Sequence, residues 1–386
     1  WNIYKEKFFQ ADFVDMLKLR ASYGIGGNIG RNTAPYLIAS YYDSSLVDGM
    51  AGSVNTPPNK DIRWEKTTTV NVGVDFALFR HRLSGTIEYY NKYSVDLLAA
   101  INGSPTQGFG YTTLMTNNGK MVNRGVEITL SGEIIRQKDF SWNASLLYAF
   151  NRNKVKHISV QPSLWDSRIS MPTSYPMVGK PLYGIYAYKW AGLNENGDPQ
   201  VYDAENNVTS GPARDYHALV YCGTTVPIHN ASLTNVLRYK GFEFSAMLIL
   251  DAGHKLRSSN IPSINMSNGR ITSTAKGIVD RWTQPGDVTD VPRLLFSNDT
   301  ENFNTHRTEL YRYSDLFVYD ASNIRLSNIS LAYRVPAHWC KKISLSGARL
   351  QFNVENVATF AFDSKANYDL GGKVKPNYVW GLYLNF

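Results

Sequence analysis

Apolar and polar residues alternate with a period of two along most of this chain. In Leu17-Lys18-Leu19-Arg20-Ala21-Ser22-Tyr23, one face carries Leu17, Leu19, Ala21 and Tyr23, and the other carries Lys18, Arg20 and Ser22. Successive side chains of a strand point to opposite faces, so this spacing predicts a β-strand with one apolar and one polar side. Val70, Val72, Val74, Phe76 and Leu78 repeat the pattern. After a tight link at Arg80-His81-Arg82, Leu83, Gly85, Ile87 and Tyr89 oppose Ser84, Thr86, Glu88 and Tyr90. Val126, Ile128 and Leu130 alternate with Glu127, Thr129 and Ser131. Beyond a turn at Gln137-Lys138-Asp139, Trp142, Ala144, Leu146, Tyr148 and Phe150 share a face. Further strands fit 182–193, 199–203, 230–238, 242–252, 323–335, 346–355 and 377–386. That makes about twelve, each near the ~10 residues a tilted strand needs to cross a bilayer.

The links between these strands decide the architecture. Short ones fall at 80–82, 137–139, 194–198, 239–241 and 336–342, and long ones at 25–63, 94–118, 153–180, 204–229, 254–316 and 356–376. Short and long alternate without exception. A transmembrane antiparallel β-barrel predicts this, with tight periplasmic turns and long outer loops. A soluble β-sandwich gives no reason for it. The chain ends on Tyr378, Trp380, Leu382, Leu384 and Phe386, all on one face. A terminal Phe on an amphipathic last strand is the signal that the outer-membrane assembly machinery reads.

Composition fits an all-β membrane wall. Hydrophobic residues make up 43 % and charged residues 19 %, with 13 % aromatic, yet the mean hydropathy is −0.30. Strands that show apolar side chains to lipid only at alternate positions reconcile these values. No apolar run approaches the roughly 18 residues of a membrane helix, and the longest candidate is 246–250. The net charge of +8 is spread among mixed signs, which excludes the basic stripe of a nucleic-acid binder. Cys222 and Cys340 fall at opposite ends of such a barrel, so two free thiols are expected. The chain starts at Trp1 without a secretory leader, so an N-terminal part is expected outside it.

Motif chemistry is sparse. Gly24-Ile25-Gly26-Gly27-Asn28-Ile29-Gly30 fails the dinucleotide spacing, because Ile29 stands where Gly is needed and no helix pattern follows. It reads as a flexible exit from a strand. The seven His lack zinc spacing. Glu88, Glu127 and Glu133 are explained as inward-facing charges rather than a glycosidase pair. Asn194-Glu195-Asn196-Gly197-Asp198 lacks the full calcium-loop pattern and reads as a turn. No catalytic group, cofactor or metal site is expected. Aromatics in the long loops are the candidate cargo or partner contacts: Tyr41, Tyr42, Phe109, Tyr111, Trp165, Trp282 and Phe303.

A set of stretches in order along the chain resembles one family. They are 17–24 (LKLRASYG), 64–67 (WEKT), 71–75 (NVGVD), 89–92 (YYNK), 122–127 (VNRGVE), 179–182 (GKPL), 281–283 (RWT) and 353–356 (NVEN), with Gly108-Phe109 ahead of Asn117-Asn118-Gly119. The chain is similar to the C-terminal part of SusC/RagA-type TonB-dependent transporters of the Bacteroidota. The loop 361–375 departs from the family by lacking an acidic-Pro-Glu type sequence. The resemblance implies an outer-membrane location and a barrel of roughly twenty-two strands, of which these would be about the last twelve. It implies that the plug, TonB box and N-terminal domain lie outside this chain. It also implies import of an oligosaccharide or peptide with a SusD-like surface lipoprotein and TonB as partners. The competing reading is a scaffold subunit of a larger outer-membrane assembly that moves no cargo.

Overall fold

The computed structural model describes residues 1–30, 35–45, 49–102, 106, 113–160, 162, 164–211, 213, 215–266, 275–296, 305–370 and 375–386. Among these, ten strands form one antiparallel sheet in chain order. They are β1 (Val14–Asn28), β2 (Glu65–Leu78), β3 (Leu83–Asn102), β4 (Thr113–Arg136), β5 (Phe140–His157), β6 (His229–Tyr239), β7 (Phe242–Ala252), β8 (Asn323–Arg334), β9 (Gly347–Ala361) and β10 (Asn377–Asn385). Each pairs only with its neighbours in this order, so the wall is an up-and-down meander.

The register turns the alternation of single strands into two continuous surfaces. One row runs Leu19, Val74, Ile87, Ile128, Tyr148, Ala231, Leu250, Ile324 and Phe360, each opposite the next on the adjoining strand. The adjacent row, on the other face, runs Arg20, Gly73, Glu88, Glu127, Ala149, Asn230, Asp251 and Asn323. The first is apolar across nine strands, and the second carries the charges of Arg20, Glu88, Glu127 and Asp251. A one-residue slip in any pair would exchange the two faces, so the pattern itself fixes the pairing. Ile87 and Phe360 are 44 % and 58 % exposed, as a face bathed in lipid requires. Near the short links the same face carries Phe140, Tyr239, Phe242 and Tyr333 on successive strands, which makes an aromatic girdle of the kind found at a membrane boundary.

The strand count differs from the sequence expectation. Segments 182–193 and 199–203 are not in the wall but inside the link between β5 and β6. There, Gly184–Tyr188 pairs with Leu219–Thr224, and Trp190–Leu193 pairs with Pro199–Tyr202. The physical reason is burial. All five residues of Gly184–Tyr188 are buried, whereas a wall strand shows one face to lipid. Accordingly 194–198 is a hairpin turn within that link and not a turn at the short-link end. The two segments leave the wall together, so the alternation of short and long links persists with ten strands. The glycine-rich stretch also differs. Gly24 to Asn28 continue β1, paired with Glu65 to Thr69 of β2. β3 and β4 run to 20 and 24 residues, well beyond the ~10 that cross a bilayer. They reach into positions expected to be loop.

The sheet is open, with β1 and β10 at its edges. Beyond the long-link end, the β5–β6 and β7–β8 links fold together into a cap with its own hydrophobic core. Tyr186, Tyr188, Val201, Leu219 and Leu310 form one cluster, and Ile264, Tyr311 and Phe317 a second. Cys222 lies in this cap and Cys340 in the β8–β9 link at the other end, both free.

Candidate functional site: the outer cap and the polar face beneath it

The polar face of the wall is held by charge-assisted bonds. Arg20 donates to both carboxylate oxygens of Asp75, at 2.8 and 2.9 Å, and Thr86 donates to the same carboxylate at 3.0 Å. Glu88 stands 3.8 Å from Arg20 and accepts from Asn71. Across the sheet, Asp251 accepts from Asn230 at 2.7 Å and from Arg325 at 2.8 Å. Nearer the short links, Glu243 accepts from Arg238 at 2.7 Å and Arg349 at 3.1 Å. A polar inner surface of this kind suits a hydrophilic solute or a protein segment and repels lipid.

The cap rests on two hubs of arginine hydrogen bonds, one at half-buried Arg257 and one at Asp198. Arg257, at the start of the β7–β8 link, donates to the carbonyls of Tyr186, Arg312 and Ser314 at 2.7, 3.1 and 3.2 Å. Asp198 accepts from Arg307 at 2.6 Å and from Arg293 at 2.8 Å, which fastens the hairpin of the first link to the second. Aromatic packing completes the core. Tyr188 donates to the Ala213 carbonyl at 2.8 Å. Tyr311 meets Phe317 edge-on at 4.8 Å between ring centres. Burial raises the Tyr186, Tyr311 and Tyr319 phenols above their ordinary range.

The sequence-predicted aromatics are scattered over this region. Tyr41 and Tyr42 are 71 % and 54 % exposed, on a hairpin of Ile38–Asp43 with Met50–Thr56 in the first long link. Trp165 is half-buried and packs on Tyr188 and Tyr313, at 6.0 and 6.3 Å. Trp282 lies flat against Gly197, whose φ of +74° and lack of Cβ let the ring approach. Phe109, Tyr111 and Phe303 lie outside the described residues. Among the described residues, Tyr41, Tyr42, Trp165 and Trp282 are not brought into one cluster. At the chain end, Tyr378, Trp380, Leu382 and Leu384 follow the apolar face opposite Val354, Phe352, Leu350 and Ala348. Trp380 packs on Phe352 at 4.2 Å, and Phe386 is 93 % exposed.

One polar cavity was not anticipated. It opens where the upper edge of β5 leaves β6 and the cap takes over its pairing. The Gly179 N–H donates to the Val155 carbonyl at 2.8 Å, and the Val155 N–H to the Lys180 carbonyl at 2.9 Å. Asn153 accepts from the Leu182 N–H at 2.9 Å and so fixes the floor. Asn123 and Asn151 join Asn153 on the polar face, and the side-chain oxygens of Asn123 and Asn151 are buried without a partner among the described residues. Arg152, Lys154, Lys180, Tyr183 and Tyr221 also line the space. The Lys180 ammonium sits 4.9 Å over the Tyr221 ring. Desolvation raises the Tyr221 phenol. The sequence signal was there in part: Asn123, Asn151 and Asn153 alternate with apolar or charged positions, and Gly179-Lys180-Pro181-Leu182 is one of the family-like stretches. What was missing was the register that sets Asn123 opposite Asn153.

Residues 3–357 match the family described as TonB dependent receptor-like, beta-barrel. The chain belongs to this family. It is 27 % identical to TonB-dependent receptor P3 of Formosa agariphila, with 99 % of this chain and 39 % of that protein aligned. It is 26 % identical to TonB-dependent receptor SusC of Bacteroides thetaiotaomicron, with 92 % and 35 % aligned. The RagAB peptide transporter structure superposes with a TM-score of 0.77 at 23 % identity, over 100 % of this chain and 42 % of that one. The chain thus spans about two fifths of the length of these relatives, corresponding to their C-terminal part. It is an outer-membrane β-barrel wall of the TonB-dependent receptor type, and the proteins to which it is similar are receptors and transporters. The apolar face is the lipid face, the short links are periplasmic and the cap is external.

Proposed function

We propose that this chain supplies the C-terminal part of the wall and an outer cap of a transporter that imports oligosaccharide or peptide nutrients. The observation that carries this reading is the pair of continuous rows, apolar outside and charged inside, leading up to a capped polar cavity. The open edges of β1 and β10 cannot face hydrocarbon, since unpaired backbone groups there cost several kcal/mol each. Further strands therefore close this wall in the working protein, and the likeness to SusC and RagAB supports a plug inside it. A SusD-like surface lipoprotein seated on the cap and TonB acting on the plug would supply capture and energy. The likeness to SusC and RagAB supports both. Deleting the encoding gene is expected to abolish growth on at least one glycan or peptide source, with restoration by the intact gene. Unchanged uptake of every glycan and peptide tested would remove the import reading and favour the scaffold alternative.

A further inference from the structure

The lipid face of the wall changes chemistry near the outer ends of β3, β4 and β5. Tyr89, Val126 and Phe150 stand opposite one another on these strands, with His229 next on β6. The His229 ring lies 5.3 Å from Phe150 and meets the Tyr148 hydroxyl at 2.8 Å through Nδ1. One step outward on the same face the row reads Asn91, Arg124 and Arg152, and the next reads Tyr93, Val122 and Lys154. The pairing is unbulged from Val126 to Val122, so alternation sends all three cations to the lipid side, away from Asn123, Asn151 and Asn153. All three are exposed. Like charges directly opposite each other in an antiparallel pair repel, and Arg124 and Arg152 are such a pair. Elsewhere the wall's arginines meet acids, as Arg20 meets Asp75 and Arg325 meets Asp251. Among the described residues Arg124, Arg152 and Lys154 form no ion pair. Arg124 Nε donates to Asn91 Oδ1 at 2.7 Å, which anchors the guanidinium by one edge and leaves its terminal nitrogens for a ligand.

Height decides what these cations meet. Phe140, in the girdle near the short links, and Phe150 are ten residues apart on β5. At ~3.3 Å per residue and a tilt of ~40°, roughly 25 Å separates them along the membrane normal, which is the height of the apolar band of such barrels. Arg124 and Arg152 therefore stand about 5 Å beyond the hydrocarbon on the external side, at the level of lipid headgroups. We infer that Arg124, Arg152 and Lys154 seat the phosphorylated sugar headgroup of an outer-leaflet glycolipid, the lipid A of the outer membrane. A guanidinium fork matches a phosphate with two parallel bonds, and a phosphate between the opposed arginines replaces their repulsion with attraction. The apolar rows directly beneath, with Ile87, Tyr89, Ile128 and Phe150, receive the acyl chains of the same molecule. A small anion would have no use for those rows. The site rests on the orientation of the barrel and is independent of what the transporter carries.

The test uses the full-length protein in detergent, with native mass spectrometry counting the lipid bound per barrel across a titration. Lipid A, lipid A stripped of its phosphates and phosphatidylglycerol are compared. Lipid A is expected to bind at least about tenfold more tightly than either. At roughly fivefold per cation near a membrane surface, Lys154→Gln should weaken it about fivefold, and Arg124→Gln combined with Arg152→Gln about thirtyfold. Lys92→Gln is the control, because Lys92 sits beside Asn123 on the inner face at the same height, and it should leave lipid A affinity unchanged. All four side chains are exposed, so the heat-modifiable gel shift of the folded barrel should match the wild type in every variant. Equal affinity for the dephosphorylated lipid would reduce the site to an acyl surface, and equal affinity for phosphatidylglycerol would reduce it to a generic anionic-lipid surface. Displacement of lipid A by equimolar inorganic phosphate would reduce it to a small-anion site. Each of these overturns the inference. So would wild-type affinity in the double variant, or a structure of the full-length protein in which a second copy or another segment of its own chain covers the three cations.

Discussion

Arg307, 2 % exposed, reaches Asp198 at 2.6 Å across 109 residues of chain. The same carboxylate binds Arg293 at 2.8 Å, so one acid holds two guanidinium groups from the β7–β8 link against a hairpin turn of the β5–β6 link. Removing the charge weakens both charge-assisted bonds between the two links. Asp198→Asn is expected to destabilise the cap by about 1.5–3 kcal/mol. Limited trypsin digestion should then cut at Lys189 and Arg293, while the gel shift of the barrel persists. Unaltered protease resistance would disprove the clasp.

Burial pushes the Cys222 thiol up to about 11, with the Asp315 carboxylate adding to the effect. Only the thiolate reacts with maleimide, so at pH 8 about one molecule in a thousand is reactive at this site. Labelling should rise about tenfold per pH unit through pH 10, instead of levelling near pH 9 as an ordinary thiol would. Cys340, 1 % exposed, should label only after unfolding. Mass spectrometry of peptides labelled at stepped pH reads both.

The two faces of the wall should respond oppositely to the same charge. Ile87 sits in the apolar row between Val74 and Ile128, and Ile87→Arg is expected to cost about 2–4 kcal/mol in lipid. Thr129 lies on the polar face between Thr86 and Leu147, and Thr129→Arg should change stability by about 1 kcal/mol or less. Urea titration of barrels refolded in vesicles measures the contrast. Equal penalties would mean that the assigned faces are wrong.

His254 marks the base of the cap, where its carbonyl accepts from the Ala321 N–H at 3.0 Å and its Nδ1 has no partner. Burial lowers its pKa, and Asp251 and Asp320 oppose that shift without reversing it. A folded-state value below the unfolded one means that the stability is present above about pH 6.5 and is lost as pH falls through the folded value. Amide protection at 252–258, corrected for the intrinsic exchange rate, should therefore fall below pH 6, and His254→Gln should flatten the response.

The wall was legible because its physics is local and repetitive. Leu17 to Tyr23 or Trp142 to Phe150 declare their faces from spacing alone, and the alternation of link lengths carries the orientation. The cap was misread for the same reason. Gly184 to Tyr188 and Pro199 to Tyr202 have strand-like sequences, and spacing cannot tell a strand flanked by lipid and lumen from one flanked by other protein. Trp165 read as a loop aromatic, yet Tyr188 and Tyr313 are its neighbours. The cavity was hidden further, because Asn123, Asn151 and Lys180 converge only through register and through the cap segment that extends the edge of β5.

The cap joins the wall through four stems in a row. β5 and β6 meet with Phe150 opposite His229, and β7 and β8 with Asp251 opposite Asn323. Each outgoing strand thus stands one sheet spacing, about 5 Å, from the strand on which the chain returns. A plain hairpin could close either gap. The external domain is in effect an interchangeable fitting: it can be lengthened, rebuilt or exchanged between relatives while every pairing in the membrane stays as it was, and new recognition can arise without relearning how to fold the barrel.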